Sequence, residues 1–193
     1  MQTIQISEIT IPVGKRAEWI NNVLTLVDEP KTDNRPVTER VKTFEDALNE
    51  LGEHNQLVAA YRCHKDMADD DKDLVAYLKL RIIAAALNEG WKPKFASDEY
   101  LWYPLFKLWE KEKLEDKTDE WMKEHSLWLF GDCSDDGVAC SLAFSCSDCG
   151  WVFSYTNISA HLAVKSEELA VYFGTQFIDI WADYVILDNH CHG

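Results

Sequence analysis

The chain has 193 residues and a formal net charge of −15. This length is typical of one domain, and a hydrophobic content of 47% suffices for a buried core and argues against disorder. The excess of acids opposes direct binding to a phosphate backbone, which needs clustered Lys and Arg side chains. We therefore expect a soluble acidic domain that does not bind nucleic acid directly, and the charge fits a solvated surface, a basic protein partner or mimicry of nucleic acid.

The expected compartment follows from two patterns that are missing from the sequence. The N-terminal stretch has no basic segment followed by an apolar run, so no secretory signal is visible. No run of about 18 or more apolar residues is present, which argues against a membrane helix. The sequence therefore predicts a cytoplasmic protein, whose six cysteines need not form disulfides because thiols stay reduced there.

The first third of the chain predicts a strand followed by helices. Residues 3–11 alternate in the manner of a β-strand, and a short helix is expected over 17–26. Thr43 is the expected N-cap of the next helix, with Asp46 at the capping-box spacing, and Gly52 is expected to end that helix.

Two later helices carry the strongest periodic patterns. After a helix over 54–65, the segment of about 72–89 has apolar residues on more than one stripe, which predicts a buried central helix. The segment of about 166–187 has one apolar stripe and predicts a long amphipathic C-terminal helix, with Ser166 as its N-cap. Gly174 lies inside that helix and predicts a close approach to a neighbouring element.

An aromatic segment lies between the two periodic helices, over 91–109. Five of the eight tryptophans lie between 91 and 128, and the prolines at 93 and 104 exclude one continuous helix. The segment fits either a core packed under loops or a recognition surface for a sugar, a base or a Pro-rich peptide. The residues of the candidate binding surface are Trp102, Tyr103, Phe106 and Trp109.

The remaining middle segments complete the predicted fold. Residues 110–125 are charged and predict a surface excursion, recapped at Thr118, and short strands with turns at 135–137 and 147–150 are expected after it. The predicted fold class is α+β, with several helices packed on a small antiparallel sheet, in a single domain over 1–193.

Clustered cysteines are the one apparent chemical motif. Cys146 and Cys149 have the C-x-x-C-G form of half a zinc site, and Cys133 and Cys140 are available as the other two ligands. His190, Cys191 and His192 at the C-terminal end are alternative candidates for the two remaining zinc ligands. A redox pair is disfavoured because strand-like residues follow Cys149 where a helix would be needed. The alternative is that these are reduced cysteines packed as small core residues.

Catalytic signatures are missing from the sequence. The patterns G-x-S-x-G, G-x-x-x-x-G-K-[ST], G-x-G-x-x-G and H-E-x-x-H do not occur. A carboxylate pair or a Cys-His pair without a marked spacing stays open. The sequence therefore favours a protein without enzymatic activity and without a cofactor, with zinc as the one candidate metal.

Several long stretches resemble a known group of proteins. They are "RVKTFEDALNELG", "LKLRIIAAALNEGWKPKF", "EYLWYPLFKLW" and "HLAVKSEELAVYFGTQFIDIWADYVIL". They are similar to a family of uncharacterised proteins of gut Bacteroidetes and their phages and prophages. The resemblance implies no activity, cofactor or catalytic residue. It implies a phage-associated setting, in the cytoplasm of the bacterial host cell or on the phage particle.

Two hypotheses about function follow from the sequence. The first is a protein-binding or virion-associated module with an acidic surface, which would use the aromatic segment. The second is a small zinc-stabilised domain that uses the cysteines between 133 and 149.

Overall fold

The computed structural model describes most of the chain. Contacts between residues divide the chain into two compact units, Met1–Arg35 and Pro36–Gly193. The prediction of a single domain stays a prediction. The described residues are 10–12, 15–20, 23–28, 33–67, 71–93, 100–110, 113–129, 139–151 and 160–186, with the backbone alone at 28, 67, 129, 139–140 and 148–151.

The first unit contains a β-hairpin. Strands β1 (Lys15–Ile20) and β2 (Val23–Asp28) pair in antiparallel register, and Ile20 lies opposite Val23 across a connection of two residues. The predicted helix over 17–26 is therefore wrong. β-branched residues occur in both segments, and they favour the pleated backbone of a strand over a helix. The predicted strand over 3–11 lies almost entirely outside the described residues.

The second unit has the predicted α+β composition. Its described helices and strands are α1 (Val37–Arg40), α2 (Phe44–Leu51), α3 (Gln56–His64), α4 (Lys72–Leu87), β3 (Tyr100–Glu110), α5 (Asp119–Glu124), β4 (Trp128–Leu129), β5 (Ala139–Trp151), α6 (Glu167–Gln176) and α7 (Ile178–Val185). Helices α6 and α7 pack on a small antiparallel sheet and the other described helices of the core pack around α4, and this combination confirms the predicted α+β class. Within the described part of the chain, no helix has both the length and the apolar character needed to cross a membrane.

The sheet of this unit has the strand order β3-β5-β4. β3 and β5 pair along their whole length, with irregularities at Leu105/Phe106 and Trp109/Glu110, whereas β4 pairs only with Ser141 and Leu142. The predicted turn at 147–150 is wrong, because these residues lie inside β5 and continue its pairing with β3. The predicted turn at 135–137 lies outside the described residues.

The helix boundaries follow the predicted capping chemistry. Thr43 Oγ1 accepts a hydrogen bond from Asp46 N at 3.1 Å, and Asp46 Oδ2 accepts one from Thr43 N at 2.9 Å. Gly52 ends α2 with φ at 75°, a conformation that favours glycine. The side chains of Thr118 and Ser166 likewise accept hydrogen bonds from Trp121 N and Leu169 N at the starts of α5 and α6. The predicted N-caps Thr43, Thr118 and Ser166 are therefore confirmed.

Helix α4 forms the centre of the core. Leu80, Ile82, Ile83 and Leu87 are all fully buried, and their spacing places them on different sides of the helix. α2, α3 and α7 pack around α4, so α4 is covered on more than one face. The prediction of a buried central helix is confirmed.

The end of α4 is fixed by polar contacts to the segment that precedes α6. Asn88 is buried, its Nδ2 donates to the carbonyl of Ala163 at 2.8 Å, and its Oδ1 accepts from Lys165 N at 3.0 Å. Glu89 follows with φ at 48°, and its carboxylate pairs with Lys165 and with Arg40. The hydrogen bond from Lys165 holds the pKa of Glu89 below its ordinary value, with a smaller contribution from Arg40.

The predicted long C-terminal helix is divided into α6 and α7. The break lies at Phe177, where φ is −117° and ψ is 33°. Trp181 Nε1 donates to the carbonyl of Phe173 at 3.2 Å, and in a continuous helix that carbonyl would accept from the N–H of residue 177. The indole of α7 therefore adds a side-chain hydrogen bond to the last turn of α6, just before the break.

Helix α6 approaches the sheet most closely at Gly174. A Cβ atom at this position would lie 2.6 Å from Phe144 Cδ2 and 2.6 Å from Pro104 Cβ. Real Cβ atoms do not approach carbon so closely, so the glycine allows the helix to pack against β3 and β5. The predicted close approach is confirmed.

Candidate protein-binding surface

Three of the four predicted binding residues take part in internal packing. Trp102 is half-buried against the apolar core around α4, and its backbone N–H donates to the carbonyl of Val164 at 3.3 Å. Phe106 packs against the same core, with its ring centroid 5.1 Å from that of Trp181. Tyr103 is buried in a second apolar cluster, and this burial raises the pKa of its hydroxyl. These three side chains are therefore divided between two clusters, and a common binding role for them stays a prediction.

The fourth predicted residue, Trp109, lies in an aromatic group with two lysines. Its ring meets that of Trp121 edge to face, with centroids 5.2 Å apart. The ammonium of Lys107 lies 4.2 Å from the Trp109 centroid, and that of Lys117 lies 5.2 Å from it. These contacts join β3 to the 110–125 segment and cover part of the indole, so Trp109 is half-buried and stabilises the attachment of that segment.

The C-x-x-C motif lies in an extended strand. Cys146 and Cys149 are three residues apart in β5, and at about 3.3 Å per residue their Cα atoms are separated by about 10 Å. A chelating C-x-x-C pair turns back so that both thiolates reach one ion. The backbone of β5 does not make the turn that the sequence predicts. Cys140 lies in the same strand, and Cys133 lies outside the described residues.

The zinc hypothesis stays a prediction. In the described ranges, no group of three or more His, Cys, Asp or Glu side chains is placed to hold a metal ion. Cys63 and Cys146 are exposed free cysteines, whereas His190, Cys191 and His192 lie outside the described residues. Elemental analysis of protein purified without added metal tests the hypothesis, because a structural site would retain stoichiometric zinc.

The two most exposed large apolar side chains that the structure describes lie on the hairpin of the first unit, where Trp19 is 73% exposed and Val23 is 63% exposed. Leu26 and Ile20 on the same hairpin are 45% and 44% exposed, and Leu108 on β3 is 50% exposed. Single exposed apolar residues are common on protein surfaces, whereas a contiguous group marks an interaction site. Four such residues lie on one short ribbon, and the strand register makes two pairs of neighbours among them.

The register distributes these side chains over both faces of the ribbon. Residues directly opposite one another share a face, and successive pairs alternate between the faces. Trp19 lies opposite Leu24, and Leu26 is two positions further along β2, so Trp19 and Leu26 share one face. Ile20 and Val23 form the last pair before the connection and lie on the opposite face.

The sequence analysis does not identify the exposed apolar residues of the hairpin, because it predicts a helix over 17–26. A signal for the hairpin is present in the sequence. Asn21 and Asn22 lie between two stretches rich in apolar residues, and asparagine tolerates the positive φ that a connection of two residues requires. The strand interpretation of the flanking residues would have placed Trp19 on a two-stranded ribbon.

Comparisons of the chain with known protein families, with curated proteins and with solved structures found no match. The resemblance to proteins of gut Bacteroidetes and their phages therefore stays a prediction, and the functional argument depends on the exposed hairpin.

Proposed function

We propose that this chain is a non-enzymatic protein-binding module of a phage or mobile element, and that the hairpin of the first unit carries its binding surface. The observation that carries the proposal is the 73% exposure of Trp19, beside three further apolar residues that are each more than 40% exposed. The host-cell or virion setting is supported by the resemblance of the quoted stretches.

Burial of Trp19 would supply a large share of the binding free energy. Aromatic side chains of this kind bury about 150–250 Å² each. Covering the exposed three quarters of such an area, at about 25 cal/mol per Å², is worth on the order of 3–4 kcal/mol. Tryptophan is also enriched among the residues that dominate measured interfaces. Trp19 is therefore the expected anchor of the interface.

The charge of the chain selects the kind of protein that would bind. With a net charge of −15, the chain attracts partners of positive charge over distances comparable to the Debye length and repels acidic ones. Electrostatic complementarity of this kind increases the association rate more than the affinity. We therefore expect a basic partner whose affinity for this chain comes from apolar contact with the hairpin.

Site-specific cross-linking tests the proposal. A photo-cross-linking residue replaces Trp19 in one full-length chain and Asn49, an exposed residue of α2, in another, and both chains are expressed in cultured gut Bacteroidetes cells. Position 19 is expected to give a discrete product with one protein, and position 49 is expected not to. That protein is then purified and titrated with the wild-type chain and with Trp19→Ala.

The titration measures how far the dissociation constant depends on Trp19. Loss of a central tryptophan is expected to weaken binding by roughly thirtyfold or more, which corresponds to at least about 2 kcal/mol of binding free energy. The matched control is Asn49→Ala, for which the dissociation constant is expected to stay unchanged. No discrete product at position 19, or equal affinities of the wild type and Trp19→Ala, would contradict the proposal.

A further inference from the structure

The outer edge of β2 has no backbone partner among the residues that the structure describes. β2 pairs with β1 along its other edge, and the two strands form a two-stranded sheet. An unpaired edge presents N–H and C=O groups to which another strand can bind, and proteins commonly protect such edges with lysine, proline or a bulge. β2 has none of these, since residues 23–27 are uncharged and their register with β1 is continuous.

The strand register determines which backbone groups of β2 point away from β1. Ile20 and Val23 flank a connection of two residues, so this pair exchanges both of its backbone hydrogen bonds. Pairs alternate between hydrogen-bonded and non-hydrogen-bonded along an antiparallel ladder, so Leu24 and Leu26 direct their N–H and C=O groups to the outer edge. The same alternation turns the N–H of Lys15 away from β2, and that N–H donates to a carbonyl that precedes β1, at 3.1 Å.

We infer that β2 pairs with β2 of a second copy of the chain, in antiparallel register about a two-fold axis at Thr25. This axis places Leu24 opposite Leu26 of the second copy, and the two residues exchange both of their outward backbone hydrogen bonds. In the same register Val23 lies opposite Val27 of the second copy. Every cross-strand pair is then apolar or Thr–Thr, and pairs of this kind stabilise a sheet.

The side chains of β2 select this register over its neighbours. A two-fold axis perpendicular to the sheet keeps each face on the same side, so it must pass through a residue paired with its own copy. An axis at Leu26 would place Leu24 opposite the charged Asp28, and it would do so twice. Axes at Leu24 or at Val27 would pair only residues 23–25 or 26–28. Thr25 is therefore the position that pairs five residues of each strand without a charge.

Charge weakens this association without preventing it. The net charge of −15 repels a second copy at long range, and salt screens that repulsion beyond about 8 Å at physiological ionic strength. The two strands of the hairpin are neutral in sum, since their charged residues are two bases and two acids, Lys15, Arg16, Glu18 and Asp28. A pairing of five residues per strand covers less than the roughly 1,000 Å² of a stable interface. We therefore expect a weak, reversible dimer that added salt strengthens.

The inference does not depend on the proposed function and is compatible with it. Trp19 lies in β1, away from the paired edge, and it shares a face with Leu24 and Leu26. Because the axis keeps each face on the same side, the dimer presents both copies of Trp19 on one face of a four-stranded sheet.

Disulfide formation in the full-length chain tests the register. Thr25→Cys places two thiols at the axis, where the Cα atoms of a non-hydrogen-bonded pair are about 4.5 Å apart, within the range of a disulfide. The matched control is Val23→Cys on the same face, because the axis separates the two copies of residue 23 by about 13 Å along the strands. Val23 is 63% exposed and Thr25 is half-buried, so random collisions would favour the control.

Oxidised glutathione is the oxidant in this experiment. Two protein thiols lose two electrons and two protons to form one disulfide, and glutathione takes them up to become two thiols. The wild-type chain measures the background from its exposed free cysteines, Cys63 and Cys146. After subtraction of that background, Thr25→Cys is expected to form the covalent dimer roughly tenfold faster than Val23→Cys or more. Equal rates would overturn the register.

Charge substitutions at the axis give the second readout, by sedimentation velocity over a series of protein and salt concentrations. Thr25→Lys and Thr25→Asp each place like charges opposite one another, and each is expected to raise the dissociation constant of the dimer by roughly fivefold or more. An equimolar mixture of the two is expected to dimerise again, because opposite charges then meet at the axis. Thr25→Ser is the control and is expected to dimerise as the wild type does.

The outcomes decide on the inference without the partner protein. A wild-type chain that stays monomeric into the high micromolar range would overturn it. So would a dimer that is unchanged in both charge variants, because it would use another interface, or a mixture that stays monomeric. None of these results bears on the cross-linking at position 19 that tests the proposed function.

Discussion

The substitution Gly174→Ala tests how closely α6 packs against the sheet. The added Cβ would lie 2.6 Å from Phe144 Cδ2, 2.9 Å from Phe144 Cε2 and 2.6 Å from Pro104 Cβ. Carbon atoms in contact are normally about 3.5–4.0 Å apart, so each contact would overlap by roughly 1 Å. The ring of Pro104 is part of the backbone of β3 and cannot rotate away. We therefore expect the helix itself to shift.

Two opposing contributions set the size of the effect. Alanine is favoured over glycine within a helix by about 1 kcal/mol, whereas an overpacked core typically loses about 1–3 kcal/mol, and occasionally more. Because the overlaps at Gly174 involve a rigid ring and a buried phenylalanine, we place the overlap cost near or above the top of that range. The net expectation is a loss of about 2 kcal/mol or more in the free energy of unfolding.

Denaturant unfolding followed by far-ultraviolet circular dichroism measures this loss. The matched control is Val171→Ala in the same helix, where the side chain is 39% exposed, and its effect is expected to stay within about 0.5 kcal/mol. In a Phe144→Leu background the cost of Gly174→Ala should fall, because one of the two overlapping groups is shorter. A Gly174→Ala protein as stable as the wild type would refute the close approach.

Three further substitutions test the polar contacts of the second unit. Asn88→Leu leaves two backbone groups of the 163–165 segment without their partner and should lower the free energy of unfolding by about 2–3 kcal/mol; an unchanged denaturation midpoint would contradict this. Glu89→Gln should cost less than about 1 kcal/mol at neutral pH, because the pair with Lys165 is partly exposed. The folded-state pKa of Glu89 is depressed below 4.5, so its contribution is present above that pH. The difference between the variant and the wild type should disappear as the pH falls through the lowered pKa, and midpoints measured over a series of pH values test this. Thr43→Ala should cost about 1 kcal/mol through the lost N-cap, whereas Thr43→Ser should retain most of the stability; equal thermal midpoints for both would argue against the cap.

The features of the fold that local chemistry determines could be predicted from the sequence. Thr43, Asp46 and Gly52 mark the ends of α2 because a hydroxyl, a carboxylate and a residue free to adopt positive φ each satisfy one local requirement. Gly174 marks a close contact for a similar reason, since a glycine inside an apolar stripe needs a packing explanation. Each of these predictions depends on residues a few positions apart.

The features that contacts between distant residues determine could not be predicted in this way. The break at Phe177 has no proline or glycine at that position to mark it, and next to it the indole of Trp181 donates to the carbonyl of Phe173. The extension of β5 through residues 147–150 depends on its pairing with β3. A Ser-Asp-Cys-Gly stretch favours a turn when considered alone, and the neighbouring strand overrides that preference.

The candidate binding surface shows the same limit for function. The residues Trp102, Phe106 and Trp109 are aromatic and close in sequence, which fits a recognition surface as well as a core packed under loops. In the structure the first two pack against the core and the third is covered by lysines. Composition identifies which side chains have apolar area to bury, and only the arrangement of the layers determines whether that area is already buried.

The hairpin is the converse case, and it explains why exposure carries the functional argument. Trp19 and Val23 are 73% and 63% exposed, so folding removes little of their apolar area from water and gains little free energy from it. Contact with a second molecule would remove that area from water, and the same side chains would then stabilise a complex more than they stabilise the chain that carries them.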